Sequence, residues 1–366
     1  MTGHRFVIAA GGTGGHFFPA EALAAELVKR GHRIALMTDA RSGGLASPVF
    51  AVGERFVLAG AGIAGRGMAK AARAMFALAK GTLQARRILA REPSAAIVGF
   101  GGYPSVAPVL AARLLGRRPA IALHEQNAVL GRANRALSRV ADLLALSHAG
   151  TSRVPASAST ELTGNPVRPA IIALAGQDYL PPGDTIRLLV LGGSLGARIF
   201  SDVVPPALAA LPDAIRARLA VTQQCRADDL DRVRAAYAAA GIAAELAPFF
   251  TDVAGLLAAA HLVIARAGAS TVAELAAAGR PAVLVPLPGA IDDHQTANAR
   301  ALGGAWTMAQ PGFTAAALAA LLGELIADPA RLVQAAAAAA ATGQPDAAAR
   351  LADAVERLAA QQERTA

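Results

Sequence analysis

Short apolar runs alternate with amphipathic, Ala- and Leu-rich segments along the whole chain. Phe6–Ala10 is the first run and leads into Gly11-Gly12-Thr13-Gly14-Gly15-His16. The pattern then predicts a helix starting near Pro19, with Glu21 in its first turn and Leu23 and Leu27 on one face, ended by Gly31. Arg33–Thr38 reads as the next strand. The second half opens in the same way: Leu188–Leu191 as strand, Gly192-Gly193-Ser194-Leu195-Gly196-Ala197-Arg198 as loop, and Ile199–Leu211 as helix. Further strands are expected at Ala95–Val98, Ala120–Leu123, Leu143–Leu146, Leu262–Ala265 and Ala282–Val285. Strands alternating with helices predict an α/β fold with parallel sheets, and two matching openings predict two such domains. We place these at 1–163 and 164–345, with the Pro- and Gly-rich segment Gly164–Thr185 as linker. Ala335–Ala341, a run of seven alanines, reads as helix. The closing segment is amphipathic through Leu351, Val355 and Leu358, so a helix over 346–366 is expected to pack back on the first domain.

Composition narrows the class. With 366 residues, 54% hydrophobic and 17% charged, the chain has apolar material for two cores and is not disordered. A single cysteine, Cys225, excludes an internal disulfide framework and fits a reducing compartment. No secretory signal is expected from the short run Val7–Ala10, and no transmembrane helix from Ser94–Ala112, which glycines and prolines interrupt. Charge is unevenly placed: residues 1–163 carry 20 Lys and Arg against 8 Asp and Glu, the remainder 15 against 18. The first domain is therefore expected to meet something anionic. Aromatics at 4% are thin for base stacking, which disfavours nucleic acid and favours an anionic bilayer. From Arg66 to Arg91 there are seven basic residues and no acid. A helical wheel puts Lys70, Arg73, Lys80, Arg87 and Arg91 on one side and Met68, Met75, Phe76, Leu78 and Leu83 on the other, with Gly81 as a possible kink.

A strand, a glycine-rich turn and a helix N-terminus together form an anion site. The backbone comes close, free N–H groups point outward, and the helix dipole adds about half a positive charge. Two such turns facing each other across a cleft would suit a substrate carrying a diphosphate. The first turn lacks the third glycine of a dinucleotide fingerprint, having Phe17 there, while Asp39 keeps a nicotinamide-dependent oxidoreductase open as an alternative. No metal or cofactor is expected. Asp229-Leu230-Asp231 reads as acids capping a helix, and Asp292-Asp293-His294 as a solvated loop.

Seven motifs then occur in order: Gly11–His16, Gly101-Gly102-Tyr103, His124-Glu125-Gln126-Asn127, Gly164-Asn165-Pro166-Val167-Arg168, Gly192–Arg198, Arg266–Glu274 and Asp292–Asn298. In this series the chain resembles the MurG family of N-acetylglucosaminyltransferases, which convert lipid I to lipid II in peptidoglycan synthesis. The resemblance implies a GT-B fold, two Rossmann-like domains with a cleft between them. It implies UDP-N-acetylglucosamine on the C-terminal domain and the undecaprenyl-diphosphate-linked acceptor on the N-terminal one, at the cytoplasmic face of the bacterial membrane. By motif, Thr13, Gly14 and Gly15 would approach the donor, Asn127 the sugar, and Arg168 and Ser194 the diphosphate. Phe250 would read uracil through its main chain. Ala269, Ser270, Thr271, Val272 and Ala273 would line the nucleotide, with Glu274 on the ribose and Gln295 on the sugar hydroxyls. Tyr103 and His124–Asn127 favour the lipid I acceptor. The implied transfer is inverting and needs a base for the attacking hydroxyl. His16, matched to neutral pH, competes with His124 and Glu125 for that role.

The chain departs from the family at Gln223-Gln224-Cys225-Arg226, where His-Gln-x-Gly is usual, at Leu195 and at His294, both common glutamine positions. These changes touch the donor-facing edge. Another UDP-sugar enzyme of the same fold, a glycolipid synthase or an epimerase, is the alternative within this class.

Overall fold

The computed structural model describes residues 3–11, 14–40, 47–59, 68–193 and 196–365, with main chain only at 68–71. The chain divides into two compact units, Met1–Arg168 with Asp346–Ala366, and Pro169–Pro345.

The first unit holds a parallel sheet of β1 (Arg5–Ala9), β2 (Arg33–Thr38), β3 (Glu54–Val57), β4 (Ala96–Gly99), β5 (Ala120–Glu125), β6 (Leu143–Leu146) and β7 (Thr160–Leu162), in the order β3-β2-β1-β4-β5-β6-β7. Strands β1, β4, β5 and β6 are buried at every position, as a parallel strand covered on both faces requires. Helix α1 spans Gly14–Lys29, five residues earlier than the sequence pattern expects. Pro19 lies inside it and Glu21 beyond the first turn. Phe17, 1% exposed and edge-on to Phe50 at 5.6 Å, draws that first turn onto the core. As a result His16 stands on the first turn of a helix rather than in a loop.

Helix α2 (Met68–Arg91) runs without interruption through Gly81 and packs on α3 (Val106–Arg113). A Cβ at Gly81 would lie 2.3 Å from the Ala59 carbonyl, so the glycine serves close approach rather than a kink. The short helix α4 (Arg132–Leu137) follows β5.

The second unit has its own parallel sheet of β8 (Ile186–Leu191), β9 (Leu219–Gln224), β10 (Ala243–Ala247), β11 (Leu262–Ala265), β12 (Ala282–Leu284) and β13 (Trp306–Thr307), ordered β10-β9-β8-β11-β12-β13. Its helices include α5 (Arg198–Ala209), α6 (Ala269–Ala278), α7 (His294–Ala301) and α8 (Pro329–Thr342), which contains the alanine run. The closing helix α9 (Ala347–Thr365) belongs to the first unit and packs on α1, β4 and β5. Leu351, Ala352, Val355 and Ala359 are buried in that core. Arg30 clamps the helix from α1 through Asp353 at 2.6 Å and Glu356 at 2.7 Å.

Each sheet reverses its strand order beside its first strand, between β1 and β4 and between β8 and β11. In doubly wound sheets, ligands bind outside the carboxyl ends of the strands at that reversal. The glycine turn after β1 and Gly101-Gly102 after β4 lie at one such point. The turn after β8 and Arg266–Gly268 after β11 lie at the other.

Candidate active site

At the first reversal point α1 presents His16, partly exposed, with its Nδ1 2.9 Å from Oε1 of Gln126. Gln126 follows β5, and its amide nitrogen is 3.0 Å from both Nδ1 and the main-chain O of His124. His124 is fully buried; its Nε2 lies 2.8 Å from the Gly164 carbonyl. Burial holds its pKa down at about 4, so the ring is neutral at pH 7. Glu125 is 2% exposed, and four donors occupy its carboxylate. Asn127 N and Nδ2 reach one oxygen at 3.0 and 2.9 Å; Gly131 N and Asn134 Nδ2 reach the other, both at 2.9 Å. Of the three competitors for the base, His124 and Glu125 have their accepting atoms buried and occupied, whereas among the described residues none hydrogen-bonds His16 Nε2. Glu125 instead sets the Asn127 side chain and the start of α4.

Three further expected residues cluster around α1. A Cβ on Gly14 would come within 2.7 Å of the Phe18 ring, and that ring carries the Arg168 guanidinium at 4.8 Å from its centroid. Gly15 follows on the first turn of α1. Tyr103, in the 3-10 turn after Gly102, has a buried hydroxyl and lines a small pocket with Thr38, Asp39, Leu58, Ala59, Pro104 and Ala107. Thr13 and Ser194 lie outside the described residues.

In the second unit α6 begins at Ala269, capped by Gly268, so Ala269, Ser270, Thr271 and Val272 form its first turn. Glu274 is the sixth residue of the helix, beyond its first turn, and 9% exposed. Gln295, on α7, accepts the Leu287 amide at 2.9 Å through Oε1, which leaves its Nε2 as the donor. Ahead of α7, Asp292 and Asp293 both adopt left-handed backbone, φ 58 and 53, an arrangement uncommon for non-glycine residues and tolerated best by Asn and Asp. His294 Nδ1 lies 2.8 Å from the Ile291 carbonyl. Phe250 is half-buried behind the exposed Phe249.

Two residues at this end fall in segments the sequence singles out, but their bonding roles were not legible there. Gln224 ends β9, accepts from Gly192 N at 3.0 Å, and donates to Gly193 O and Pro248 O. The Gly192 amide is thus committed within the protein rather than pointing outward. Arg266 donates to Val285 O at 3.0 Å and to Gln310 Oε1 at 2.7 Å, and burial lowers its pKa. Asp229 and Asp231 pair with Arg232 and Arg234 one turn on, at 2.8 and 2.7 Å, and make no side-chain cap. Among the described residues no three His, Cys, Asp or Glu side chains gather as a metal site would need.

The basic helix α2 also differs from the expected wheel. Its core-facing stripe is Ala74, Gly81, Ala85 and Leu89, while Met75, Phe76 and Leu83 are 72%, 75% and 55% exposed. Arg73, Lys80, Arg86 and Arg87 share that outward half, and Leu78 is half-buried. The side chains of Met68 and Lys70, and all of Arg66, lie outside the described residues. The exposed apolar residues therefore sit among the basic ones, apart from the core contact. No described helix is long and apolar enough to cross a membrane.

Residues 6–145 match the glycosyltransferase family 28 N-terminal domain, and residues 187–351 match the family's C-terminal domain. The UDP-N-acetylglucosamine--N-acetylmuramyl-(pentapeptide) pyrophosphoryl-undecaprenol N-acetylglucosamine transferase of Granulibacter bethesdensis is 66% identical, covering 96% of this chain and 93% of its own. The protein of the same name from Gluconobacter oxydans is 57% identical, covering 96% and 97%. The crystal structure of Acinetobacter baumannii MurG superposes with a TM-score of 0.77 at 33% identity, covering 97% of this chain and 99% of its own.

Proposed function

The chain belongs to glycosyltransferase family 28, and we infer from that membership that it moves N-acetylglucosamine from UDP-N-acetylglucosamine to the 4-hydroxyl of the N-acetylmuramyl-pentapeptide of lipid I, giving lipid II for peptidoglycan synthesis. The observation that carries this reading is the near-full-length match to transferases of that specificity, at an identity that leaves little room for a different acceptor half. A nicotinamide-dependent oxidoreductase is not supported, since Phe17, on the first turn of α1, stands where the dinucleotide fingerprint has glycine.

In this mechanism the acceptor hydroxyl attacks the anomeric carbon from the face opposite UDP. His16 Nε2 takes its proton, the new C–O bond forms, and the old one breaks with its electron pair leaving on UDP. Negative charge then grows on the diphosphate. The donors that would answer it are the Arg168 guanidinium, Thr13, Gly14, Gly15, Ser194 and the first turn of α6. Ala273 and its α6 neighbours line the nucleotide, Glu274 accepts from ribose hydroxyls, and the Phe250 main chain pairs with uracil. Gln295 Nε2 donates to the sugar, with Asn127 and Tyr103 serving sugar and acceptor. No divalent ion enters the scheme.

The enzyme works at the cytoplasmic face of the plasma membrane as a peripheral protein. Met75, Phe76 and Leu83 enter the interface while Arg73, Lys80, Arg86 and Arg87 meet anionic headgroups, at about 1 kcal/mol per basic residue.

The test is reconstitution. Purified protein, UDP-N-acetylglucosamine and the undecaprenyl-linked acceptor should release UDP and form a disaccharide-lipid of inverted anomeric configuration in excess chelator. Thermal stabilisation by UDP and not by NAD should accompany it. UDP release that does not depend on the acceptor, or stabilisation by NAD alone, contradicts the assignment.

A further inference from the structure

Gln126 is 1% exposed and lies between two imidazoles, in contact with both. Its Nε2 is 3.0 Å from the main-chain O of His124. A carbonyl oxygen only accepts, so the nitrogen of the Gln126 amide, not its oxygen, faces that way. The His124 ring leads independently to the same orientation. Its Nε2 faces the Gly164 carbonyl at 2.8 Å, another pure acceptor, so Nε2 carries the ring hydrogen. Burial keeps the ring neutral, which makes Nδ1 a lone pair that accepts from Gln126 at 3.0 Å. With its nitrogen committed twice, the amide turns Oε1 to His16 Nδ1 at 2.9 Å. An amide oxygen cannot donate. The hydrogen of that bond therefore belongs to His16 Nδ1, so whenever the ring carries one hydrogen its lone pair stands on Nε2.

We propose that Gln126 is a positioning residue for the glycosyl transfer: backed by His124 and Gly164, it holds His16 in the Nδ1–H tautomer so that Nε2 is the atom that accepts the proton. The proposal rests on the reading of His16 as base. Gly102 supports the geometry. It has φ 67, and a Cβ there would lie 3.3 Å from His16 Nε2 and Cδ2, so glycine keeps that side of the ring open. When Nε2 takes the proton, the ring becomes a cation and the Nδ1–H bond to Gln126 becomes charge-assisted, stronger in the transition state than before it. A neutral amide orients the imidazole without adding a second charge to the site. The base is thereby held by an uncharged partner, where a carboxylate is the familiar one.

The test uses the full chain labelled with 15N-histidine, together with steady-state kinetics, on wild type, Q126M, Q126E and H16A. H16A assigns the His16 signals by difference. Wild-type His16 should show a single Nδ1–H tautomer. Q126M, of similar volume but with neither acceptor nor donor, should show mixed tautomers, with kcat lowered about 10- to 100-fold and donor KM changed less than about twofold. Q126E restores an oxygen opposite Nδ1 and should recover part of both the tautomer and the turnover. A purely structural Gln126 would not move the tautomer. Wild-type kcat in a Q126M that keeps the Nδ1–H form overturns the proposal. So does an Nε2–H tautomer in the wild-type spectrum, which needs no variant to fold. Loss of turnover in H16A beside an unaltered Q126M removes the positioning role of Gln126 and leaves the base reading standing, whereas near-normal turnover in H16A removes the base reading and the proposal with it.

Discussion

The side-chain carbonyl of Gln224 accepts the Gly192 amide at 3.0 Å, tying the end of β9 to the glycine turn that follows β8. The same side chain donates to Gly193 O at 3.0 Å and Pro248 O at 3.1 Å, so one buried amide braces the turn and the segment leading to Phe250. Replacing Gln224 by Ala removes the partner of the Gly192 N–H and of the Pro248 carbonyl, while Gly193 O keeps the Gly196 amide at 3.0 Å. UDP binding by Q224A should weaken about tenfold, about 1.4 kcal/mol, with kcat at saturating donor changed less. Titration calorimetry with UDP reads this directly, and an unchanged Kd would show that the brace does not serve the nucleotide.

Glu125 has a structural rather than a proton-transfer signature. Its two oxygens satisfy Asn127, Gly131 and Asn134 from inside the protein. E125A should lose at least about 2 kcal/mol of folding stability, since Asn127, Gly131 and Asn134 all lose this acceptor at once. Urea denaturation gives the value. E125A as stable as wild type would mean that the site relaxes or rehydrates freely.

Acid should destabilise the first unit through His124. An unfolded imidazole titrates near 6.5 and the buried one at about 4, so between those values the unfolded chain binds more protons. Stability conferred by the neutral ring is complete above about pH 6.5 and is lost as pH falls toward 4. His148 shifts in the same direction, also through burial. Urea midpoints should fall steadily from pH 7 to pH 5, and H124Q should flatten that slope. A wild-type slope matched by H124Q would place the acid sensitivity elsewhere.

How far the sequence was legible follows from which residues act locally. β1 and β8 stand out because apolar runs flanked by glycine turns need no tertiary knowledge. Edge strands were not visible in the same way. β3 carries Glu54 and Arg55 and β10 carries Glu245, so neither shows a continuous apolar run. The start of α1 was read from Pro19, a common first-turn residue, whereas burial of Phe17 sets it earlier at Gly14. His16 was legible as a candidate base from its place after the glycines. Gln126 and Gln224 stood in motifs the sequence singles out, but their bracing roles were not legible, because their partners lie 110 and 32 residues away in sequence and a lone amide carries no local signal.

The outward half of α2 makes its own prediction. Wild type should float with anionic vesicles and not with zwitterionic ones. A protein carrying both F76D and L83D should lose most of that binding, as should one carrying both K80E and R87E, while secondary structure is retained because none of these residues faces the core. Flotation unaffected by either pair would place membrane contact on another surface.

Turnover of H16A, with donor affinity measured separately, is the sharpest probe of the mechanism. Removing a general base that takes the hydroxyl proton should lower kcat about 10²- to 10⁴-fold while leaving the Kd for UDP-N-acetylglucosamine within about twofold. A folded H16A that turns over at nearly the wild-type rate would show that the proton leaves by another route.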